Sequence, residues 1–210
     1  MKIVRSSYEI MDELNGEAIL KKIEVCGRVC YKSEAKITPE SAEKFVRNVI
    51  KNKHESVLEH VSFTVRFIVD RGVSHEIVRH RIASYSQEST RYCNYGHDDQ
   101  IEVIHPMFYE QDSADYGLWE NSCLLAEDVY MTLIDRGSPP QEARSVLPNS
   151  LKTELIMTAN LREWRHFLSL RTDSAAHPQM REVTIPLLLE LKNKIPVVFD
   201  DIYINTARCV

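Results

Sequence analysis

The chain has 210 residues, of which 43% are hydrophobic and 27% charged, and carries a formal charge of -5 at neutral pH. That balance suits one globular domain with a proper core, and its acidity counts against a dedicated polynucleotide binder, which presents a net basic face. No uncharged apolar run approaches the ~18 residues of a membrane span, so neither nucleic acid nor membrane is an expected partner.

Taken in order, Lys2 to Tyr8 reads as an edge strand and Gly16 to Tyr31 as a helix. Thr38-Pro39 offers an N-cap followed by proline at the first helical position, predicting a second helix to about Asn52. In V-S-F-T-V-R-F-I-V, Val61, Phe63, Val65, Phe67 and Val69 face one way and Ser62, Thr64 and Arg66 the other, the period of a strand. Gly72 is expected to break that strand, with a short helix from Ser74 to Arg79. Ile101 to Ile104 reads as a further strand. Leu118 to Arg136 reads as a helix with Leu125, Val129 and Leu133 at four-residue spacing, stopped by Gly137 and Pro139-Pro140. A strand at Leu151–Thr158 leads to a helix from Asn160 to about Leu170. A last helix carries Met180, Val183, Leu187 and Leu191 and stops before Pro196, with Pro186 kinking it or marking its first turns. Long helices with a few strands make a mixed α+β domain spanning 1–210.

Several chemistries are excluded by spacing. The six glycines are too scattered for a G-x-G-x-x-G fingerprint or a P-loop, so any phosphate must be held by side chains and helix N-termini. H-E-S-V-L-E-H, His54 to His60, misses both zinc-protease spacings, and no metal is expected. No G-x-S-x-G elbow is present. The five cysteines (Cys26, Cys30, Cys93, Cys123, Cys209) are odd in number and form no C-x-x-C pair. With no apolar leader at the start, they suggest reduced thiols in a cytoplasmic protein.

The segment R-H-R-I-A-S-Y-S-Q-E-S-T-R-Y, Arg79 to Tyr92, concentrates arginine and hydroxyl groups in an acidic chain. Its polar residues recur with neither helical nor strand period. Guanidinium forks match phosphate oxygens, so the segment is either a solvated loop or the seat of a strongly anionic ligand.

Arg79-His80-Arg81, seven residues, then Ser89 resembles the R-H-R-x7-S signature of the flavin-dependent thymidylate synthases, the ThyX family. H-E-S-V-L-E-H before the strand, A-R-S-V-L-P-N-S-L-K-T and N-L-R-E-W-R-H-F-L-S-L-R resemble further family blocks, over about residues 50 to 180. The resemblance implies a twisted, largely antiparallel sheet packed with long helices in a homotetramer, with ligands where subunits meet. It implies reductive methylation of dUMP to dTMP, with FAD as cofactor and methylene-tetrahydrofolate and NADPH as co-substrates. FAD would be contacted by Ser56, Arg79, His80, Arg81, Gln87, Asn160, Leu161, Arg162 and His166. The dUMP set would be Glu76, Ile77, Val78, Arg79, Gln87, Glu88, Ser89, Thr90, Arg91, Arg144 and Arg171. Arg171 would be catalytic, stabilising charge that builds on the uracil ring. Asn160 could also serve as a helix N-cap. Two rivals stand beside this reading: a relative acting on another nucleotide or carbon unit, and a flavin-free binder of single-stranded nucleic acid.

Overall fold

The computed structural model describes residues 1–97 and 100–204. Cys209 lies outside the described residues, whereas Cys26, Cys30, Cys93 and Cys123 are free thiols. The elements in chain order are β1 (Lys2–Val4), β2 (Ser7–Ile10), α1 (Gly16–Val29), α2 (Ser41–Lys51), β3 (Ser62–Asp70), α3 (Arg71–Ile77), β4 (Ala83–Gln87), β5 (Glu102–Ile104), α4 (Ala114–Asp135), α5 (Pro140–Ala143), β6 (Lys152–Asn160), α6 (Leu161–Arg171) and α7 (Pro178–Lys194). A 3-10 turn, Glu55–His60, precedes β3.

β2, β3, β6 and β4 form one sheet in that order, and β1 and β5 form another. β3 and β6 run antiparallel: the Arg71 amide donates to Leu151 O (3.1 Å), and Thr64 Oγ1 lies 3.0 Å from Thr158 Oγ1. β1 and β5 depart from the antiparallel expectation and pair in parallel, Lys2 opposite Glu102 and Val4 opposite Ile104. Parallel partners need a long crossover, and a great length of chain separates these two. The single edge strand expected at Lys2–Tyr8 is thus two strands in different sheets. Alternation alone does not show where a strand changes partners.

Two helix starts also differ from the sequence reading. Thr38 does not cap α2; its amide donates to Ser41 Oγ (2.9 Å), closing a turn before the helix begins. Gly72 does not end β3. Asp70 closes the strand and caps α3 by accepting from the Val73 amide (2.6 Å), so Gly72 sits inside the helix's first turn.

The chain forms two compact units. The first comprises Met1–Tyr8, Arg66–Arg79 and Tyr85–Ile156. Within it Ile101, Val103, Cys123 and Leu151 make a buried cluster, with Ile3, Trp119 and Leu147 packed against it. The buried face of α4 is Tyr116, Cys123 and Tyr130. Of the apolar residues at four-residue spacing, Leu125 is 64% exposed and Leu133 half-buried. An apolar period of four identifies the helix without saying which apolar face meets the core. Gly137 ends α4 as expected, at φ +90° with its amide bonded to Ile134 O, a left-handed conformation that glycine adopts without a Cβ clash.

The second unit comprises Glu9–Val65, His80–Ser84 and the described residues from Met157 onward. Trp164 on α6 is fully buried. Its indole donates to Phe63 O (3.1 Å) and stacks on the Phe63 ring at 4.8 Å. α7 buries Met180, Val183, Leu187 and Leu191 and continues helical through Pro186. Arg165, buried, is held by Glu55 (3.2 Å), Asp201 (2.7 Å) and the Val198 carbonyl. No described helix is long and apolar enough to cross a membrane.

Candidate active site

Part of the Arg79–Tyr92 segment is ordered as a strand. β4 runs from Ala83 to Gln87, with Ala83, Tyr85 and Gln87 facing inward and Ser84 and Ser86 exposed. The strand period is present but masked, because its inward residues include an amide. Gln87 donates from Nε2 to Ser74 Oγ (2.9 Å) and Thr153 Oγ1 (3.3 Å), and the Tyr85 hydroxyl donates to Ile77 O (3.0 Å). Ile77 is core, whereas Glu76 and Val78 are half-buried and Arg79 is exposed.

A turn follows, in which Ser89 O accepts from the amides of Tyr92 (3.1 Å) and Cys93 (2.9 Å). Arg144, at the C-terminal end of α5, donates to Thr90 Oγ1 (3.3 Å), and Arg91 donates to Gln141 on α5 (3.2 Å). The fold thus joins Ser89, Thr90, Arg91 and Arg144, which are fifty residues apart in the chain. Glu88 accepts from the Tyr95 hydroxyl (2.8 Å), and burial together with this bond pushes the Tyr95 phenol up, so it remains a donor. Lys152 stands 3.3–3.5 Å from the carboxylates of Glu88, Glu102 and Glu154.

In the second unit, a cavity of about 550 Å³ is lined by Glu55, Glu59, Ile82, Asn160, Arg162, Glu163, Arg165, His166 and Ser169. Asn160 caps α6 by accepting from the Glu163 amide (2.9 Å), and both residues line the cavity. Leu161 is core, and its amide donates to Val61 O (2.9 Å). Ser56 is exposed beside a second cavity of about 630 Å³, shared with Arg28, Phe45, His54 and Arg162.

His80 is the buried member of the R-H-R triplet, while Arg79 and Arg81 are exposed. Its Nε2 accepts from Arg171 Nε (3.1 Å), and its Nδ1 lies 3.2 Å from Glu163 Oε1. Guanidinium nitrogens only donate, so Nε2 carries the lone pair and Nδ1 the proton, which Glu163 accepts. Burial, then the Arg171 charge and His166, push the His80 pKa down to about 4. The ring is therefore neutral at neutral pH, and its link to Glu163 is a hydrogen bond rather than an ion pair. Burial also raises the Glu163 carboxyl. Ligand atoms of His80, Glu163 and His166 lie within 4.8 Å of one another, a cluster the His54–His60 spacing did not suggest. A cation there would compete with the Nδ1 proton that the Arg171 bond requires, so the geometry makes a hydrogen-bond relay.

The depressed His80 pKa has a consequence for stability. Between pH 6.5 and about 4 the unfolded chain binds a proton that the folded chain refuses. Stability from this group is complete above pH 6.5 and is lost as pH falls toward 4. Urea denaturation at pH 7 and pH 5 should show that loss, and His80→Asn should show a smaller difference between the two pH values.

Some arginines are held by carboxylates and others are not. Arg28, Arg47, Arg162 and Arg165 each hold a carboxylate, with Arg162 2.6 Å from Glu59. Arg79, Arg81, Arg91 and Arg144 hold none among the described residues. In the first unit Arg79, Arg91 and Arg144, and in the second Arg81, are exposed guanidiniums without internal anions, each able to meet an anionic ligand, and the mixed α/β scaffold carries in the second unit a buried relay ending at Arg171.

Comparisons agree with that class. The family model described as "Thymidylate synthase complementing protein" matches residues 13–197. A flavin-dependent thymidylate synthase from Geobacter sulfurreducens is 34% identical over 186 residues, covering 85% of this chain and 80% of the relative. One from Mycobacteroides abscessus is 34% identical over 202 residues, covering 88% and 80%. A UMP/dUMP methylase, PolB from Streptomyces cacaoi, solved with 5-Br dUMP, superposes with TM-score 0.76 at 25% identity, covering 95% of this chain and 96% of that one. This chain belongs to the flavin-dependent thymidylate synthase family.

Sequence reasoning missed Glu163, although N-L-R-E, with a carboxylate three residues after the N-cap, is a capping-box spacing that marks it. Thr184, whose hydroxyl lies 2.9 Å from both Arg171 O and Met180 O, left no sequence signal.

Proposed function

We propose that this protein methylates dUMP reductively to dTMP, taking the carbon from methylene-tetrahydrofolate and the hydride from reduced FAD recharged by NADPH. The observation that supports this reading is that Arg79, Arg81, Arg91 and Arg144, exposed residues in the blocks that resemble the family, hold no carboxylate among the described residues.

The dUMP phosphate is assigned to Arg91 and Arg144, with the Ser89 and Thr90 hydroxyls beside them, and the remainder of that set is Glu76 to Arg79, Gln87 and Glu88. The Gln87 amide is already bonded inside the first unit, so its contact falls to its carbonyl oxygen. FAD is assigned to Ser56, Arg79, Arg81, Asn160, Leu161, Arg162 and His166, with His80 and Gln87 beside them. The residues fit such a group: the second unit's cavity offers an amide side chain, a guanidinium and an imidazole, donors suited to phosphates and to flavin ring oxygens. When bound, a reduced flavin supplies hydride. Arg162 must leave Glu59 to take part, and Leu161 can contribute only main-chain atoms. Arg171 stabilises the negative charge that builds on the uracil oxygens and N3 as C5 gains its carbon. The whole of 1–210 is taken as one functional domain.

Self-association as a homotetramer is part of the proposal, supported by the outward apolar face of α4, where Leu118 is 71% exposed. The four free thiols among the described residues support a reducing, cytoplasmic setting. UMP is a second candidate substrate, because the structurally similar methylase accommodates UMP as well as dUMP by its name.

The test is product formation: purified protein with FAD, NADPH and methylene-tetrahydrofolate, offered dUMP and UMP in parallel. dTMP from dUMP supports the proposal. A 5-methylated product from UMP alone replaces the substrate, and neither product with flavin-loaded protein removes the reading.

A further inference from the structure

We propose that Glu163 is a positioning residue that acts through His80 to fix the direction in which Arg171 presents its guanidinium. In the first place, the relay is continuous. Glu163 Oε1 lies 3.2 Å from His80 Nδ1, and His80 Nε2 accepts from Arg171 Nε at 3.1 Å. Each link is also held in place. Glu163 is 7% exposed and sits in the first turn of α6, its amide bonded to Asn160. The His80 ring is 5% exposed and meets the edge of Phe167 at 4.9 Å and His166 at 5.6 Å. Arg171 is anchored from the other end of α6 by Thr184 on its carbonyl.

The chemistry assigns each group one role. Arg171 can only donate, so His80 must accept at Nε2, and a neutral imidazole then has its proton at Nδ1. An acceptor opposite Nδ1 stabilises that tautomer and no other. Without it the imidazole is free to move its proton to Nε2, where it would oppose the Arg171 N–H and turn the guanidinium away. Glu163 lines the second unit's cavity, but its Oε1 is turned to His80 Nδ1; its part in the reaction is to select the tautomer, as an orienting carboxylate does for a catalytic imidazole elsewhere.

The activity arm rests on the dUMP-methylation reading, and the spectroscopic arm does not. In Glu163→Ala, kcat should fall by up to about a hundredfold, the cost of a misplaced catalytic group, while KM for dUMP changes little. Glu163→Gln should recover most of the loss, because its carbonyl still accepts from Nδ1. On an Arg171→Ala background, Glu163→Ala should add nothing. In wild-type protein labelled with ¹⁵N-histidine, the His80 resonances, identified by their loss in His80→Asn, should show the Nδ1–H tautomer at neutral pH.

A His80 found as Nε2–H in the wild type overturns the inference whether or not any variant folds. So does an active enzyme whose kcat is unchanged in Glu163→Ala, or whose losses from Glu163 and Arg171 multiply. Wild-type protein with no turnover but an Nδ1–H His80 refutes the dUMP reading while supporting the relay.

Discussion

Replacing Arg171 with alanine should lower dUMP turnover by about a hundred- to a thousandfold while leaving flavin bound. The estimate is that of one preorganised donor aimed at developing charge, ~3–4 kcal/mol. The residue has the requirements for that role: a permanent charge, a side chain held at Nε by His80, and a main chain held by Thr184. Preorganisation matters because a guanidinium already oriented costs nothing to reorient when charge appears. Lysine at this position keeps the charge but cannot reproduce a fork with its Nε bonded to His80, so Arg171→Lys should remain impaired. Single-turnover rates at saturating dUMP, with flavin absorbance as a control for loading, check the prediction. A rate within threefold of wild type would remove Arg171 from the chemistry.

Trp164→Ala should cost about 3–5 kcal/mol of stability, a large share of the roughly 5–15 kcal/mol typical of a folded protein. Trp164 has no exposed surface, stacks on Phe63 at 4.8 Å, meets Phe167 edge-on at 5.6 Å and bonds the Phe63 carbonyl. Truncation leaves a cavity and strands that carbonyl together. Trp164→Phe keeps much of the packing and loses the indole N–H, so it should cost about 1–3 kcal/mol. Urea unfolding followed by circular dichroism separates the two. A loss below about 1 kcal/mol in the alanine variant would mean that this part of the core repacks freely.

The signals most legible in the sequence were those with a fixed period or a fixed partner. β3 was readable because Phe63, Val65, Phe67 and Val69 alternate with polar residues, and all four are buried. Asn160 was readable as a cap because its neighbours in sequence are also its partners. α4 shows the limit: its period marked a helix, but its buried face is Tyr116, Cys123 and Tyr130, and nothing local distinguishes those from Leu125 and Val129. The split of Lys2–Tyr8 between two sheets was equally hidden, since pairing depends on β5 and β3, far along the chain. At the candidate site, the arginines stood out by composition, and the resemblance supplied their ligands. The relay did not stand out, because Glu163, His80 and Arg171 meet only through tertiary packing. Likewise the pairing that removes Arg162 from the set of unpaired arginines depends on Glu59, more than a hundred residues earlier.

The account turns on whether the uracil C5–H bond is broken by a flavin-dependent route. Tritium release from 5-tritiated dUMP, measured with FAD, NADPH and methylene-tetrahydrofolate and with each omitted in turn, tests this most directly. Release that requires the flavin and its reductant is the predicted result. Absence of release from folded, flavin-loaded protein, or release indifferent to flavin, would contradict it.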